Sequence, residues 1–474
     1  MRLPARIANP VLAVLIQHSG FNSLDEFATA VNELGRRAHG LRLSYDHVAV
    51  KRWLAGGGCQ QPQVVAEVLS HSWNVPIPAA VIWPQLRQGG PPAPPHTGPC
   101  VAARTLDDLA AHVGSDMLTR RSLLTDAIDV AVGTALTDPL LQWLNGPTVG
   151  LSVSAESASR RLSMATVANL EMATDHFREQ DAAIGGGLSR EAAVGQLKHA
   201  IDMVHDGSYT DAVGNRMLAA VAELAGMVGW MSHDVGMDGP AQRYFTLGLQ
   251  AATASTHPRS LLLRVNLLAD MARQMSDLDQ PATGLRMVEA ALDLLPQGTH
   301  PAAAAMLWNL KARMLAPLGP SSVPEIRHAT ALAVDLLARA PKDGDNVGRG
   351  YLNAAELAGN AALAWQDAAA HTPTLARHAQ EQALIALTHR PGGYSRSLVF
   401  DQISLAAARF SLTQIDQAAA DGQTALDLAV CVPTSARVLD RLRTLGGHCA
   451  AYADNPAVRD FRDRLTLVLR RADA

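Results

Sequence analysis

Apolar positions along this chain recur three and four residues apart instead of alternating, and the runs they form are closed by Pro, Gly, Asn and Ser, so the pattern predicts helices throughout. Asn9 and Pro10 precede a first helix that carries Leu12, Leu15 and Ile16. Ser23 with Glu26 forms a capping box ahead of Leu24, Phe27, Ala28, Val31 and Leu34, which share one helical face. A polar turn containing Gly35 and Gly40 is expected next. A third helix begins near Ser44 to Asp46, buries Val50, Trp53 and Leu54, and stops at Gly56 to Gly58. Pro62 opens a fourth helix with Val64, Val65, Val68 and Leu69, and Pro78 a short fifth around Val81 to Trp83.

Periodicity fails over PQLRQGGPPAPPHTGPC, residues 84 to 100, where Pro and Gly dominate and the composition is that of a semi-extended linker. Beyond it the helical pattern resumes and repeats loosely. In VGWMSHDVGMDGPAQRYFTLGLQ, Gly229, Gly236, Ala241 and Phe245 stand where a tetratricopeptide (TPR) unit puts small residues at the contact of its two antiparallel helices and one aromatic in the gap between units. Gly284, Val288, Ala291, Leu292 and Pro296 fall in the same frame in the next pass, and weaker matches occur at Ala333 to Pro341 and at Ala418, Ala425 and Leu426. The step from Ala241 to Gly284 is longer than the usual period of about 34 residues, so the helices or their turns must be longer than standard. The expectation is an all-α chain: a small bundle over 1–83, a Pro/Gly-rich linker over 84–104, and a helical region over 105–474 with TPR-like repeats clearest from about residue 150.

Composition sharpens this picture. Hydrophobic residues make up 48% of the chain but aromatics only 4%, so the apolar content is mostly Ala, Leu and Val, the material of close-packed helices. Cys59, Cys100, Cys431 and Cys449 are far apart and show no metal-ligand spacing, so no zinc site, cofactor or disulfide framework is expected, and a cytoplasmic setting is the simplest one. No apolar run is long enough for a membrane span. The segment TRRSLLT, Thr119 to Thr125, imitates a twin-arginine export signal, but it lies deep in the chain and is followed by Asp126 and Asp129; an ordinary helix with a basic first turn is the better reading. Residues 1–87 hold eight basic groups (Arg2, Arg6, Arg36, Arg37, Arg42, Lys51, Arg52, Arg87) against five acidic ones, whereas the whole chain is −4, so a mildly basic head precedes an acidic body.

The head resembles the helix-turn-helix of the Xre/Cro-type repressor superfamily, on SLDEFA (Ser23 to Ala28), VKRWLAG (Val50 to Gly56) and QPQVVAEVLSHSWNVPI (61 to 77). It departs from that pattern in the longer connection ELGRRAHGLRLSYD. The order of parts is similar to that of actinobacterial regulators that join such a head to TPR repeats and control sporulation and antibiotic production. SYDHVAVKRWLAGG, MLTRRSLL followed by DPLLQWL, and the stretch from Gly207 to Phe245 carry that likeness. The arrangement also resembles the peptide-pheromone regulators of quorum sensing in Gram-positive bacteria. The resemblance implies a DNA-binding transcriptional regulator, a homodimer on double-stranded DNA, with a TPR groove open to a short peptide or a protein.

A recognition helix reads bases with exposed side chains near its start while neighbouring groups hold phosphates. With Val50, Trp53 and Leu54 facing inward, the candidates are Tyr45, Asp46, His47, Ala49, Lys51 and Arg52, and Arg36, Arg37 and Arg42 are candidate phosphate contacts. For the groove, the candidates are Asn266 and Asp270 one turn apart, Asn309 on the next inner helix, and Asn353 with Asn360 two turns apart, polar groups suited to the backbone of an extended peptide. Catalysis is not expected: the histidines lack paired spacing, Gly185 to Gly187 is not a phosphate loop, and no GxSxG occurs. The alternative to a regulator is a non-catalytic adaptor whose head only packs and whose groove recruits a protein.

Overall fold

A computed structural model describes residues 9–39, 41, 43–73, 77, 79–83, 100–121, 130–151, 160–341 and 352–472. Among them the chain is all-helical, as expected, apart from two parallel pairs of two-residue strands: β1 (Cys100–Val101) with β2 (Thr148–Val149), and β3 (Arg160–Arg161) with β4 (Gly207–Ser208). No described helix is long and apolar enough to cross a membrane. Contacts divide the chain into two compact units, residues 1–93 with 106–129, and residues 94–105 with 130–474.

The N-terminal part of the first unit holds α1 (Pro10–Gln17), α2 (Leu24–His39), α3 (His47–Leu54), α4 (Pro62–Trp73) and α5 (Ala79–Ile82) around Leu12, Ile16, Phe27, Val31, Trp53, Val65 and Trp83. Local hydrogen bonds set the helix starts. Asn9 Oδ1 accepts from the Leu12 N–H at 3.1 Å, and its Nδ2 donates to the Ile82 carbonyl at 2.8 Å, so one side chain caps α1 and ties α5 to it. Ser23 Oγ accepts from the Glu26 N–H at 3.1 Å, but the Glu26 carboxylate reaches the Asn22 N–H at 2.7 Å, one residue before the donor that a capping box uses.

The expected turn at Gly35 is a correction: α2 continues through it to His39. Gly35 is buried inside the helix because a Cβ there would stand 2.5 Å from Leu43 Cδ1. Glycine costs a helix interior about 1 kcal/mol, and here that allows the segment after α2 to lie against it. The connection to α3 therefore spans only residues 40–46. Pro78, residues 84–99 of the expected linker, and 122–129, which include most of TRRSLLT, lie outside the described residues. Helix α6 (Ala102–Arg121) begins within the last part of that expected linker.

In the second unit, after α7 (Thr134–Asn145), helices pair in chain order: α8 (Met164–Ile184) with α9 (Arg190–Asp206), α10 (Asp211–Asp234) with α11 (Asp238–Ala254), α12 (Ser260–Asp277) with α13 (Pro281–Leu294), and α14 (Pro301–Leu315) with α15 (Val323–Arg339). The series continues with α16 (Ala354–Ala369) and α17 (Ala376–His389), α18 (Ser395–Ser411) and α19 (Ile415–Ala429), and α20 (Ala436–His448) and α21 (Pro456–Ala472). Even-numbered helices also touch their even-numbered neighbours from α8 to α20, and odd-numbered ones lie outside them. In addition, α18 packs on α8 and α20 on α10, so the row curls back on its own beginning.

One turn recurs. Between α10 and α11, α12 and α13, and α18 and α19, three residues join the helices, and the middle one adopts left-handed backbone: Gly236 at φ 79°, Asp279 at 61° and Thr413 at 59°. Each makes the same pair of bonds: Gly236 N–H to His233 O and Met237 N–H to Ser232 O are matched at Asp279 and Gln280, and again at Thr413 and Gln414. Within the first of these hairpins the helices approach closely, because a Cβ on Gly229 would meet the Phe245 ring at 2.7 Å. Ala241 O lies just beyond, which accounts for three of the four residues singled out there by pattern.

Candidate functional site

Two places bring the expected site residues together. The first is the outer face of α3. Val50, Trp53 and Leu54 are fully buried, and the Trp53 ring meets Tyr45 edge-on at 4.8 Å and Trp83 at 6.1 Å, which fixes the helix in rotation. Asp46 Oδ1 accepts from the Val48 and Ala49 N–H groups at 3.0 and 2.9 Å, and the Ala49 N–H above all holds the carboxyl below its ordinary pKa. From α2, Asn32 clamps the approach to α3: its Nδ2 donates to Tyr45 O at 2.8 Å and its Oδ1 accepts from Tyr45 N–H at 2.9 Å. Asp25 Oδ1 accepts from the His47 N–H at 3.1 Å and lies 3.0 Å from His47 Nδ1.

Lys51 and Arg52 are exposed on this face, as are Arg36 and Arg37 on α2, the latter 3.7 Å from Glu33. Arg42 lies outside the described residues. Two expectations are corrected. Tyr45 turns inward: its ring packs on Trp53 and its hydroxyl is buried, raising its pKa by desolvation. Ala49 packs against the core. Sequence reasoning passed over Val48, 58% exposed in the first turn of α3, and the clamps Asn32 and Asp25. Val48 was legible as an apolar residue off the Val50, Trp53 and Leu54 stripe.

The second place is a half-open cavity of about 210 Å³ lined mainly by the even-numbered helices of the second unit. Four of them contribute a stripe at positions i, i+3, i+4 and i+7: Glu223, Gly226, Met227 and Trp230 from α10; Leu263, Asn266, Leu267 and Asp270 from α12; Glu356, Gly359, Asn360 and Leu363 from α16; Ser397, Phe400, Asp401 and Ser404 from α18. Of the expected groove residues, Asn266, Asp270 and Asn360 meet here. Asn309 and Asn353 do not. Asn309 is buried and donates to Leu357 O at 3.1 Å, joining α14 to α16, and Asn353 caps α16 by accepting from the Glu356 N–H at 2.9 Å.

The wall is dense in charge, and the charges are matched. Arg178 pairs with Asp175 and Glu223, Arg273 with Asp270 at 2.8 Å, and Arg390 with Glu356 and with Asp401 at 2.7 Å. Arg396 grips Asp181 with both terminal nitrogens, at 3.0 and 2.6 Å, and reaches Asp234 at 2.9 Å. Arg313 and Arg437 meet Asp277 at 2.5 and 2.8 Å. Burial pushes Asp401 up to about 7, with Arg390 opposing and Glu356 reinforcing the shift. Burial alone would also raise Asp277, but Arg437 and Arg313 hold it well below the ordinary range.

His233 completes this network. It is buried between carboxylates, Nδ1 at 2.6 Å from Asp238 and Nε2 at 3.2 Å from Asp277. Burial lowers its pKa, but the two hydrogen bonds outweigh burial and raise it above 6.5. The Arg437 guanidinium carbon lies over the Trp230 ring, 4.6 Å from its centre. Among the described residues no group of three or more His, Cys, Asp or Glu side chains is arranged to hold a metal ion.

Residues 12–82, from α1 to α5, match the family described as the SP15 N-terminal domain. No curated protein and no solved structure matches this chain.

Proposed function

We propose that the chain is a non-enzymatic transcriptional regulator of development or secondary metabolism, binding double-stranded DNA through a head of the Xre/Cro helix-turn-helix type. The helical-hairpin array, TPR-like in this reading, serves dimerisation and the sensing of an effector. One observation carries the reading: α3 is locked in rotation by buried Val50, Trp53 and Leu54, which leaves Lys51 and Arg52 exposed together on its outer face. The short connection over 40–46 supports it as well, since the first half of ELGRRAHGLRLSYD is the end of α2. Basic side chains on an exposed helix supply phosphate attraction, and the groups at the helix start supply base contacts.

Selection of bound fragments from the source genome by the full-length protein tests this, with Lys51→Ala/Arg52→Ala as the control. A recurring motif, lost in the double variant at unchanged helical content, is the expected result. Sequence-blind, weak attraction at fixed ionic strength would return the chain to the adaptor class.

A further inference from the structure

We propose that the cavity inside the hairpin array is a binding site for a small, uncharged organic molecule with a single ring and one or two hydrogen-bonding groups. This deepens the reading of the array as a sensor by naming what it senses, and it departs from an extended peptide as the occupant. Size comes first. A cavity of about 150 Å³ lined by apolar side chains holds benzene, so 210 Å³ suits one ring with a polar substituent. The two ends of the row of helices are tied by Arg396 of α18 on Asp181 of α8, and by Ser435, just before α20, whose Oγ lies 2.8 Å from Asp234 of α10.

Charge decides the class. Each arginine of the wall already faces a carboxylate, so a net charge on the occupant would have no free counter-charge and would lose its hydration. The groups left over are neutral. Ser404 is 3% exposed, lines the cavity, and its hydroxyl has no hydrogen-bond partner among the described residues. Asn360 uses its Nδ2 on the Glu356 carbonyl at 2.9 Å and leaves its carboxamide oxygen over. Trp230, Leu267, Leu363 and Phe400 supply the apolar wall around them. The Ser404 hydroxyl and the Asn360 carboxamide oxygen thus offer one donor and one acceptor to an occupant of this size.

The test compares benzamide, benzoate and benzylammonium, one shape in three charge states, by ligand-observed NMR titration of the full-length protein without DNA. Saturable binding of benzamide in preference to both ions is expected. Ser404→Ala should weaken it about fivefold, the worth of one neutral hydrogen bond, and Ser404→Phe should abolish it by filling the room. Preference for either ion overturns the class. Binding of none of the three, or binding untouched by both Ser404 variants, overturns the site; if Ser404→Phe does not fold, Ser404→Ala alone decides. Because no DNA is present, failure here is separate from failure of the regulator reading, which the fragment selection measures by itself.

Discussion

Arg396 and Asp181, 215 residues apart in the chain, face each other through two parallel hydrogen bonds of 3.0 and 2.6 Å. The same guanidinium holds Asp234, which is wholly buried, so one cation neutralises two carboxylates drawn from α8 and α10. Burial works against the charge, yet the two aspartates keep Arg396 firmly protonated. Replacing it leaves two anions without their main counter-charge in a dry setting, the costly way to break a buried pair. Arg396→Gln should therefore destabilise the array by about 3–5 kcal/mol. Hydrogen exchange should show faster opening of both α8 and α18. Loss confined to α18 would mean that the bond does not hold the ends together.

His233 makes the array sensitive to pH. Its folded pKa lies above the ordinary 6.5 because Asp238 and Asp277 outweigh burial. A group whose pKa is raised on folding contributes stability that is complete below the unfolded value and is lost as pH rises through the folded one. Thermal midpoints should fall as pH climbs from 6.5 through the folded value, and His233→Gln should flatten that part of the profile. Asp401, raised to about 7, acts in the same direction from lower pH, so stability should already decline between 3.8 and 7, and Asp401→Asn isolates that portion. A profile unaltered by either substitution would assign the dependence elsewhere.

Left-handed backbone is natural to Gly236 and strained for Thr413, although both occupy the same place in their turns. Thr413→Gly should raise the melting midpoint by a stabilisation of about 0.5–1 kcal/mol, the released strain less the added freedom of the unfolded chain. Gly236→Thr should do the reverse, and more strongly, since its Cβ would also meet Ala436 Cβ at 3.1 Å. Melting curves of the two variants, taken together, decide whether the turns are equivalent.

Gly229 and Phe245 share one volume. Gly229→Val drives methyl groups into the ring, and overpacking of this kind costs about 1–3 kcal/mol. Adding Phe245→Leu should recover part of the loss, and a double-mutant cycle with no coupling would show that the two side chains act independently.

What could be read from the order of residues was local. Asn9, Ser23 and Asp46 announce helix starts because a cap bonds within its own turn, and Val50, Trp53 and Leu54 announce a buried face because a helix has one period. Gly35 misled because its low helix propensity is a small quantity beside the packing of Leu43 and Val64 against it. Tyr45 misled because a hydroxyl suggests exposure, while the ring carries most of its area and found Trp53. For the cavity, the stripes of α10, α12, α16 and α18 were visible as helical periodicity, and periodicity alone reads them as ordinary core. Nothing in the neighbourhood of Arg396 or Asp181 foretells that they meet. Asn309 and Asn353 show the converse: an amide on a helix was read as a hand held out to a peptide, and each is used up on the protein's own backbone.

A row of hairpins that touch only their neighbours assembles from either end, and a nascent chain can set each unit in place as it emerges. Here Asp181 and Asp234 wait for Arg396, which is made 215 residues after the first of them. Until then the early helices carry bare negative charge on the face that should become interior, and that face is kept wet and open. Synthesis of the last helices is thus the event that dries the interior, and a chain cut short before α18 would carry its damage at the opposite end from the missing residues.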